Sequence, residues 1–212
     1  MITIKKKTLY KFLLWILIYM TLMTIVVASI IHFLNEPAEI FYQAHISSLS
    51  IGMFVFGTLA FMVLKKQVGH GKSRKTYFKE SIGTVLFLSL YSMILMNVFS
   101  WGLNLFPSLS GEIFQNWTIT EIIILNIVAI LSGLLTYFIG LIVFYSFVKN
   151  FILGIFVCFI AGGLGGYYSQ AFGEFTTMNV DNPLLVLGVQ LFAIIMFGII
   201  ARAYILNAAI KV

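Results

Sequence analysis

Charged side chains are scarce in this chain. They make up 9% of its 212 residues, whereas soluble domains carry about 25%. With 61% hydrophobic residues, the sequence cannot supply the polar surface that a water-soluble fold needs. Its apolar residues fall in long continuous runs, not in the short alternating segments that indicate a transmembrane β-barrel. The composition therefore predicts an all-α membrane protein, in which each helix needs about 20 apolar residues to cross the bilayer.

Cysteine and proline are also rare. The single cysteine, Cys158, excludes an intrachain disulfide and any CxxC redox or zinc motif, and its apolar surroundings predict a buried thiol. The three prolines, Pro37, Pro107 and Pro183, fall between the apolar runs, as expected for residues that interrupt helical hydrogen bonding. The runs themselves are therefore free to form uninterrupted helices.

Six apolar runs are long enough to cross a bilayer. They predict a single transmembrane domain over residues 1–212, with a cytoplasmic loop at residues 65–81. The predicted spans are residues 12–34, 46–64, 82–106, 121–147, 151–170 and 184–206. So few residues separate the fourth and fifth spans that we expect a tight antiparallel hairpin between them. The first run is longer than the 7–15-residue core of a signal peptide, so we expect it to remain as an anchor.

The distribution of charge predicts the orientation. With the N-terminus in the cytoplasm, all 13 lysines and arginines lie on the cytoplasmic side, and of the 7 acids only Glu80 lies there. Both termini are therefore expected in the cytoplasm. No ionisable side chain lies near the middle of a span, which disfavours a proton-driven carrier. Orientation and anionic lipid headgroups explain the net charge of +6, so we expect membrane lipid and no nucleic acid as a partner.

Motifs for catalysis and metal binding are incomplete. Gly71-Lys72-Ser73 imitates the end of a phosphate-binding P-loop, but Lys66 stands where that motif requires its first glycine. The histidines and glutamates near the outer end of the first hairpin fit no metal-site template. The sequence contains no recognisable set of residues for an intramembrane enzyme. We therefore expect no catalytic residue, no metal and no cofactor bound by this chain.

A glycine-rich step marks the fifth span. Gly162 and Gly166 form a GxxxG pattern, which lets two helices approach closely. One interpretation is tight packing within the helix bundle. The other is a flexible or broken helix that lines a substrate path, continued by Tyr167 and Tyr168. The sequence leaves both interpretations open.

Residues 65–80 concentrate the charge of the chain, and their order carries more information than their charge. Ser73 is positioned to cap a helix that begins just after it. Tyr77 and Phe78 give this helix an apolar patch, and Arg74 and Lys75 add positive charge. Aromatic residues and arginine are the usual anchors of protein contacts. The segment therefore predicts a short capped helix that fills a cleft on a soluble partner.

The segment Gly-Lys-Ser-Arg-Lys-Thr-Tyr-Phe at residues 71–78 resembles the Gly-x-Ser-Arg-Lys-x-x-Phe segment of small bacterial ABC-2 type transporter permeases. The six-span layout also resembles the type V exporter-like bundle of that family. The resemblance implies a coupling helix, after the second span, that contacts a separate ABC ATPase subunit. That ATPase would bind ATP and Mg, and a second permease subunit, identical or homologous, would complete the transporter. Lys72 departs from the family, which usually has an apolar residue there.

The resemblance also implies roles for individual residues. Those implied for ATPase coupling are Gly71 in the turn, Ser73 as the cap, Arg74 and Lys75 facing the ATPase, and Tyr77 and Phe78 as aromatic contacts. Those implied for the substrate path are Ser50, Met53 and Phe54 on the second span and Tyr167 and Tyr168 at the end of the fifth.

The expected function is export of a hydrophobic or amphipathic peptide, such as a toxin or antimicrobial peptide, across a bacterial plasma membrane. Aromatic and methionine surfaces suit such a cargo better than a small ion. The chain itself would not be an enzyme. An alternative is the six-helix substrate-binding membrane subunit of a small-molecule uptake system, which requires a polar pocket among the outer loops. A purely structural or assembly role is a further alternative.

Overall fold

The computed structural model describes residues 6–34, 40–104, 119–176 and 183–207, which are helical apart from two short connections. Side chains of residues 6–9, 12, 40, 104, 164–176, 183 and 184 lie outside the described part. Six helices follow one another in this order: α1 (Lys6–Leu34), α2 (Ile40–Gly69), α3 (Arg74–Asn104), α4 (Ile119–Lys149), α5 (Phe151–Thr176) and α6 (Pro183–Asn207). The prediction of an all-helical chain with six helices is confirmed for these residues.

Most of the helices extend beyond the predicted apolar spans. The largest difference concerns α2 and α3, because the predicted loop at residues 65–81 shrinks to residues 70–73. The segment expected as a separate short helix is therefore the first part of α3. Hydropathy marks only the stretch that contacts lipid, whereas lysine, glutamine and glutamate are good helix formers that continue a helix into water.

Five of the helices, α1, α2, α3, α4 and α6, are long and apolar enough to cross a membrane. In α5, the apolar stretch with described side chains runs from Phe151 to Gly163. Large apolar side chains such as Trp15, Phe159 and Phe192 are exposed on the outside of the bundle. A chain with this surface needs a lipid environment, because soluble proteins rarely expose such extensive apolar area.

Successive helices run in opposite directions, so that α2, α4 and α6 are parallel to one another. The contacts that establish this arrangement are Tyr19–Ser48 and Thr24–His45 between α1 and α2, Tyr42–Ser100 and Tyr77–Ala60 between α2 and α3, Asn97–Asn126 and Phe78–Phe138 between α3 and α4, and Gln190–Ser132 and Tyr145–Tyr204 between α4 and α6.

This arrangement brings four features to one end of the bundle: the start of α1, the α2–α3 turn, the α4–α5 turn and the end of α6. We call it the basic end, because it carries every lysine and arginine of the described residues. They are Lys6, Lys7, Lys11, Lys65, Lys66, Lys72, Arg74, Lys75, Lys79, Lys149 and Arg202. Gathering positive charge at one end of a helical membrane protein is what the orientation rule requires.

Helix α4 forms the centre of the bundle. It packs against α2, α3, α5 and α6, and 67% of its most apolar stretch is buried. The corresponding share for α6 is 11%, so α6 lies at the periphery. Side chains of α4 such as Leu125, Tyr137 and Leu141 are fully enclosed. The core of the protein therefore surrounds the fourth helix.

The backbones of α2 and α4 approach each other closely. A Cβ atom added at Gly57 would overlap the carbonyl oxygen of Tyr137, and one added at Gly140 would overlap the carbonyl oxygen of Phe54. Small residues at such crossings let membrane helices pack backbone against backbone. We call this reciprocal contact of Gly57 and Gly140 the glycine seam.

The connection between α4 and α5 is a single residue, Asn150. Its side-chain Oδ1 accepts hydrogen bonds from the backbone N–H groups of Ile152 (2.9 Å) and Leu153 (3.3 Å), which caps α5. Gly154 lies directly against the ring of Phe147 across the hairpin. The predicted tight hairpin is confirmed.

Candidate functional site

The turn between α2 and α3 has a defined backbone geometry. The N–H of Gly71 donates to the carbonyl of Val68 (2.9 Å), and the N–H of Lys72 donates to the carbonyl of Gln67 (3.1 Å). This pair of bonds is the Schellman motif that ends many helices, and it needs a left-handed residue at the position of Gly71. Gly71 has φ +84°, which glycine adopts without strain. The predicted role of Gly71 in the turn is confirmed.

Ser73 caps the start of α3. Its Oγ accepts a hydrogen bond from the backbone N–H of Thr76 (3.1 Å), and its carbonyl accepts the first helical bond from Tyr77 (2.9 Å). The Ser73 and Thr76 hydroxyls also hydrogen-bond each other at 2.8 Å. The predicted cap is therefore present. A helix-ending motif followed at once by a helix cap gives the turn little freedom to bend.

The two aromatic residues after the cap face the inside of the bundle. Tyr77 is 3% exposed, and its hydroxyl donates to the carbonyl of Ala60 on α2. Phe78 is half-buried and stacks on Phe138 of α4, with ring centroids 6.2 Å apart. The prediction that Tyr77 presents an apolar surface to a partner is wrong for this structure. Phe78 keeps part of its surface exposed, so its contact with a partner stays a prediction. Because the turn is so short, α3 already packs against the bundle in its first turns.

Arg74 joins α3 to the end of α6. Its guanidinium Nη1 donates to the carbonyl of Leu206 at 2.8 Å, in the last turn of α6. The last carbonyls of a helix have no partner within the helix, and a cation there also interacts favourably with the helix dipole. Arg74 thus stabilises the end of a helix that is 132 residues away in the sequence.

Lys72 is paired with Glu80, which lies nearly two turns inside α3. Both side chains are partly shielded, with 20% and 13% of their surfaces exposed. The lysine stands where the resembling family usually has an apolar residue, and here its charge is balanced by the acid of the same segment. The pair ties the turn to the body of α3.

The start of α3 therefore contacts three parallel helices at once. Tyr77 reaches α2, Phe78 reaches α4 and Arg74 reaches α6. We call these three residues the junction. The junction joins the start of α3 to these three helices through one ring stack and two hydrogen bonds. A displacement of the α2–α3 turn would be transmitted through it to the helices that form most of the core.

Lys75 differs from the junction residues, because it is exposed at the surface of the turn. His70, Ser73 and Thr76 are exposed beside it. We call these four residues the tip. Lys75 is therefore exposed to solvent, and its contact with a soluble partner stays a prediction.

The residues predicted on the second span as a substrate path lie partly in the core. Met53 is 5% exposed and packs near Gly133 of α4, and the carbonyl of Phe54 lies at Gly140 in the glycine seam. Ser50 is half-buried. For Met53 the prediction is wrong in this arrangement, because its side chain is buried against α4. The side chain of Phe54 is partly exposed, so its place on a substrate path stays a prediction.

The predicted features of α5 have mixed outcomes. Gly162 is exposed with no atom near its Cβ position, so the prediction that it packs within the bundle is wrong. Gly166, Tyr167 and Tyr168 lie in α5, but their side chains lie outside the described residues. Cys158 is exposed on the outside of the bundle, which corrects the expectation of a buried thiol.

Three hydrogen bonds donated by amide side chains between helices were missed by the sequence reasoning. Gln190 of α6 is buried, and its Nε2 donates to the carbonyl of Val128 (3.0 Å) and to the hydroxyl of Ser132 (3.1 Å) on α4. Asn97 of α3 donates to the Oδ1 of Asn126 on α4 at 2.7 Å. Their signal in the sequence is an amide within an apolar run, because such a group needs a partner in lipid.

A further polar group lies away from the basic end. The Nε2 of His45 lies 3.1 Å from the hydroxyl of Thr24, and its Nδ1 lies 2.8 Å from the carbonyl of Phe41. Tyr42 contacts the hydroxyl of Ser100 at 2.9 Å. These contacts join α1, α2 and α3. The outer connections, where the alternative uptake function would need its polar pocket, lie outside the described residues.

The fold and the site define a class, a multi-pass helical membrane protein that carries a hydrogen-bonded, positively charged turn at one end. Comparison with protein-family models, with curated proteins and with solved structures found no match for this chain. The functional argument therefore depends on the turn itself.

Proposed function

We propose that this chain is the membrane-spanning permease subunit of an ATP-driven exporter of the ABC-2 type. It would work in a bacterial plasma membrane with a separate ABC ATPase and with a second permease subunit, identical or homologous. The basic end would then lie in the cytoplasm, in agreement with the orientation rule. The observation that carries the proposal is the α2–α3 turn, whose sequence resembles the coupling segment of that family and whose first helical residues contact α2, α4 and α6.

The junction suggests how work would pass from the ATPase to the membrane helices. ATP and Mg bind to the ATPase, and closure of that subunit would push the α2–α3 turn. The Schellman motif at Gly71 and the cap at Ser73 make the turn stiff enough to move as a unit. Arg74, Tyr77 and Phe78 would then displace α6, α2 and α4 together, which changes the surface that the bundle offers to the second permease.

The cargo that this surface suits best is a hydrophobic or amphipathic peptide. The exposed sides of α2 and α5 are apolar and include Ile51, Val55, Phe156 and Phe159. A path between two such subunits would bind apolar side chains by burial of surface, at about 25 cal/mol per Å². A small ion would need polar or charged groups along its path. The exposed aromatic and aliphatic side chains therefore favour a peptide cargo.

The first experiment tests the partner. The test begins with whether a gene beside this one encodes an ABC ATPase; such an ATPase is co-expressed with the chain, and the two are purified in detergent and reconstituted in nanodiscs. We expect the two proteins to purify together and the chain to change the rate of ATP hydrolysis. A folded, monodisperse chain that neither retains the ATPase nor changes its rate would contradict the proposal.

The second experiment tests transmission through the junction. The Arg74→Ala variant loses the contact with Leu206, while Lys75 stays in place for the ATPase. In inverted vesicles with ATP and a labelled amphipathic peptide, we expect the variant to retain the ATPase but to transport the peptide about tenfold more slowly. Arg202→Ala is the matched control, because Arg202 is an exposed arginine at the same end. Equal transport by Arg74→Ala and the wild type would exclude this route of coupling.

A further inference from the structure

We infer that the ATPase of the proposed function presents an acidic surface, to which the tip binds through ion pairs and hydrogen bonds. This inference rests on the proposed function and specifies the chemistry of the partner. It differs from the expectation raised by the sequence, in which aromatic side chains enter an apolar cleft. The occupant of the tip is thus a soluble protein surface rich in aspartate and glutamate.

The first step of the argument is that the tip has no apolar anchor to offer. Tyr77 is enclosed by the bundle, and Phe78 is stacked on Phe138. The exposed side chains are instead Lys75, His70 and the hydroxyls of Ser73 and Thr76. A partner that binds here without unfolding the start of α3 meets charge and hydroxyl groups.

The second step concerns the sign of the charge. Glu80 is the only acid between residues 65 and 80, and it is paired with Lys72. Lys75 therefore has no exposed acid beside it within this segment, and the partly exposed Arg74 adds a second cation. Complementary charge favours the right partner and speeds association. The tip therefore favours a partner whose contact surface is acidic.

The third step separates the tip from the lipid headgroups. A helix rises about 1.5 Å per residue, so Lys75 lies about 10 Å beyond Ile82, where the apolar run of α3 begins. The headgroup layer on each side of a bilayer is only about 5–8 Å thick. Lys65 and Lys66, by contrast, directly follow Leu64, the last residue of the predicted apolar span of α2, so the headgroup layer is where we expect them. We expect these two lysines to serve orientation, whereas Lys75 in the first turn of α3 would extend into the water where a protein can bind it.

The experiment measures the affinity of the purified ATPase for the chain in nanodiscs of neutral lipid, at low and at high salt. We expect Lys75→Glu to weaken binding about tenfold, and high salt to weaken binding of the wild type. Lys65→Glu is the matched control, a reversal of the same charge at headgroup level, and we expect a change of less than about twofold. An aspartate-to-lysine or glutamate-to-lysine change on the ATPase that restores binding of Lys75→Glu would identify the facing acid.

The outcomes separate this inference from the proposed function. If the folded wild-type chain does not bind the ATPase at either salt concentration, the proposed function fails. If it binds but neither Lys75→Glu nor salt alters the affinity, the acidic surface is excluded while the proposed function stands. If binding requires anionic lipid in the nanodisc and Lys65→Glu weakens it as much as Lys75→Glu does, the lysines act through lipid, which overturns the inference.

Discussion

The glycine seam between α2 and α4 and the turn between α2 and α3 both depend on glycine, but for different physical reasons. At Gly57 and Gly140 any side chain would enter the backbone of the facing helix. At Gly71 there is open space around the Cβ position, and the constraint is the φ of +84°. The seam needs glycine for tertiary packing, whereas the turn needs it for local conformation.

The two regions also differ in what surrounds them. The seam lies inside the bundle and joins two helices whose relative position it fixes. The turn lies at the surface, exposes Lys75 to water and contacts three helices through the junction. A substitution in the seam should therefore lower the stability of the whole bundle. A substitution in the turn should lower the stability less and the function more. The four predictions below test this difference.

The largest effect is expected at the seam. Gly57→Ala adds a methyl group that overlaps the carbonyl of Tyr137, so α2 and α4 must move apart. Overpacking of a core costs about 1–3 kcal/mol. We expect the free energy of unfolding to fall by about 3 kcal/mol here, because the added methyl group meets a backbone carbonyl, which cannot turn aside as a side chain can. The measurement is the free energy of unfolding in mixed detergent. Gly52→Ala is the control on the same helix, since nothing lies within 4 Å of its Cβ position. Equal stability of the two variants would contradict the close backbone contact of α2 and α4 at Gly57.

The next effect is expected at the turn. Gly71→Ala places a side chain at positive φ, which costs about 1–2 kcal/mol for a residue other than glycine. We expect the free energy of unfolding to fall by about 1 kcal/mol. Export should fall further than this loss of stability explains, because the α2–α3 angle changes. Gly69→Ala, at the last residue of α2, is the control and should be neutral or slightly stabilising. If Gly71→Ala and Gly69→Ala have the same stability and the same export, the positive φ at Gly71 is not required by the turn.

A smaller effect is expected where the turn meets the bundle. Tyr77→Phe keeps the buried ring and removes the hydroxyl that donates to Ala60. The loss of one such hydrogen bond costs about 1 kcal/mol or less in a membrane protein. We expect that loss in unfolding experiments, together with retained ATPase binding, because the hydroxyl does not face the partner. Tyr204→Phe on α6 provides a comparison, since Tyr204 contacts Tyr145 through its ring. Loss of ATPase binding in Tyr77→Phe would mean that Tyr77 faces the partner after all.

The sequence predicted the parts of this structure that depend on local chemistry. Six helices follow from the length of apolar residues that a bilayer requires. The turn at Gly71 and the cap at Ser73 follow from the conformational freedom of glycine and the hydrogen-bonding geometry of serine. Each of these features is determined by a few neighbouring residues, so a single sequence is enough to predict it.

The remaining features depend on residues that are far apart in the chain. Gly57 and Gly140 are single glycines on different helices, and only the packing of α2 on α4 shows that they meet. The inward direction of Tyr77 and Phe78 follows from the helix after Ser73 continuing without a break into the apolar span, which hydropathy does not reveal. The contact of Arg74 with Leu206 joins opposite halves of the sequence. Such pairings are determined by tertiary structure and require it.

The smallest effect is expected for the ion pair within the turn region. Lys72 and Glu80 are shielded only in part, and pairs of this kind contribute about 1 kcal/mol or less, because solvent screens the charges. A double-mutant cycle with Lys72→Gln and Glu80→Gln should give a coupling energy below about 1 kcal/mol, reduced further by salt. A coupling of about 3 kcal/mol would show that the turn is held as firmly as the seam, and the distinction between the two regions would disappear. With weak coupling, the Schellman motif, the Ser73 cap and the junction are what keep the turn in place.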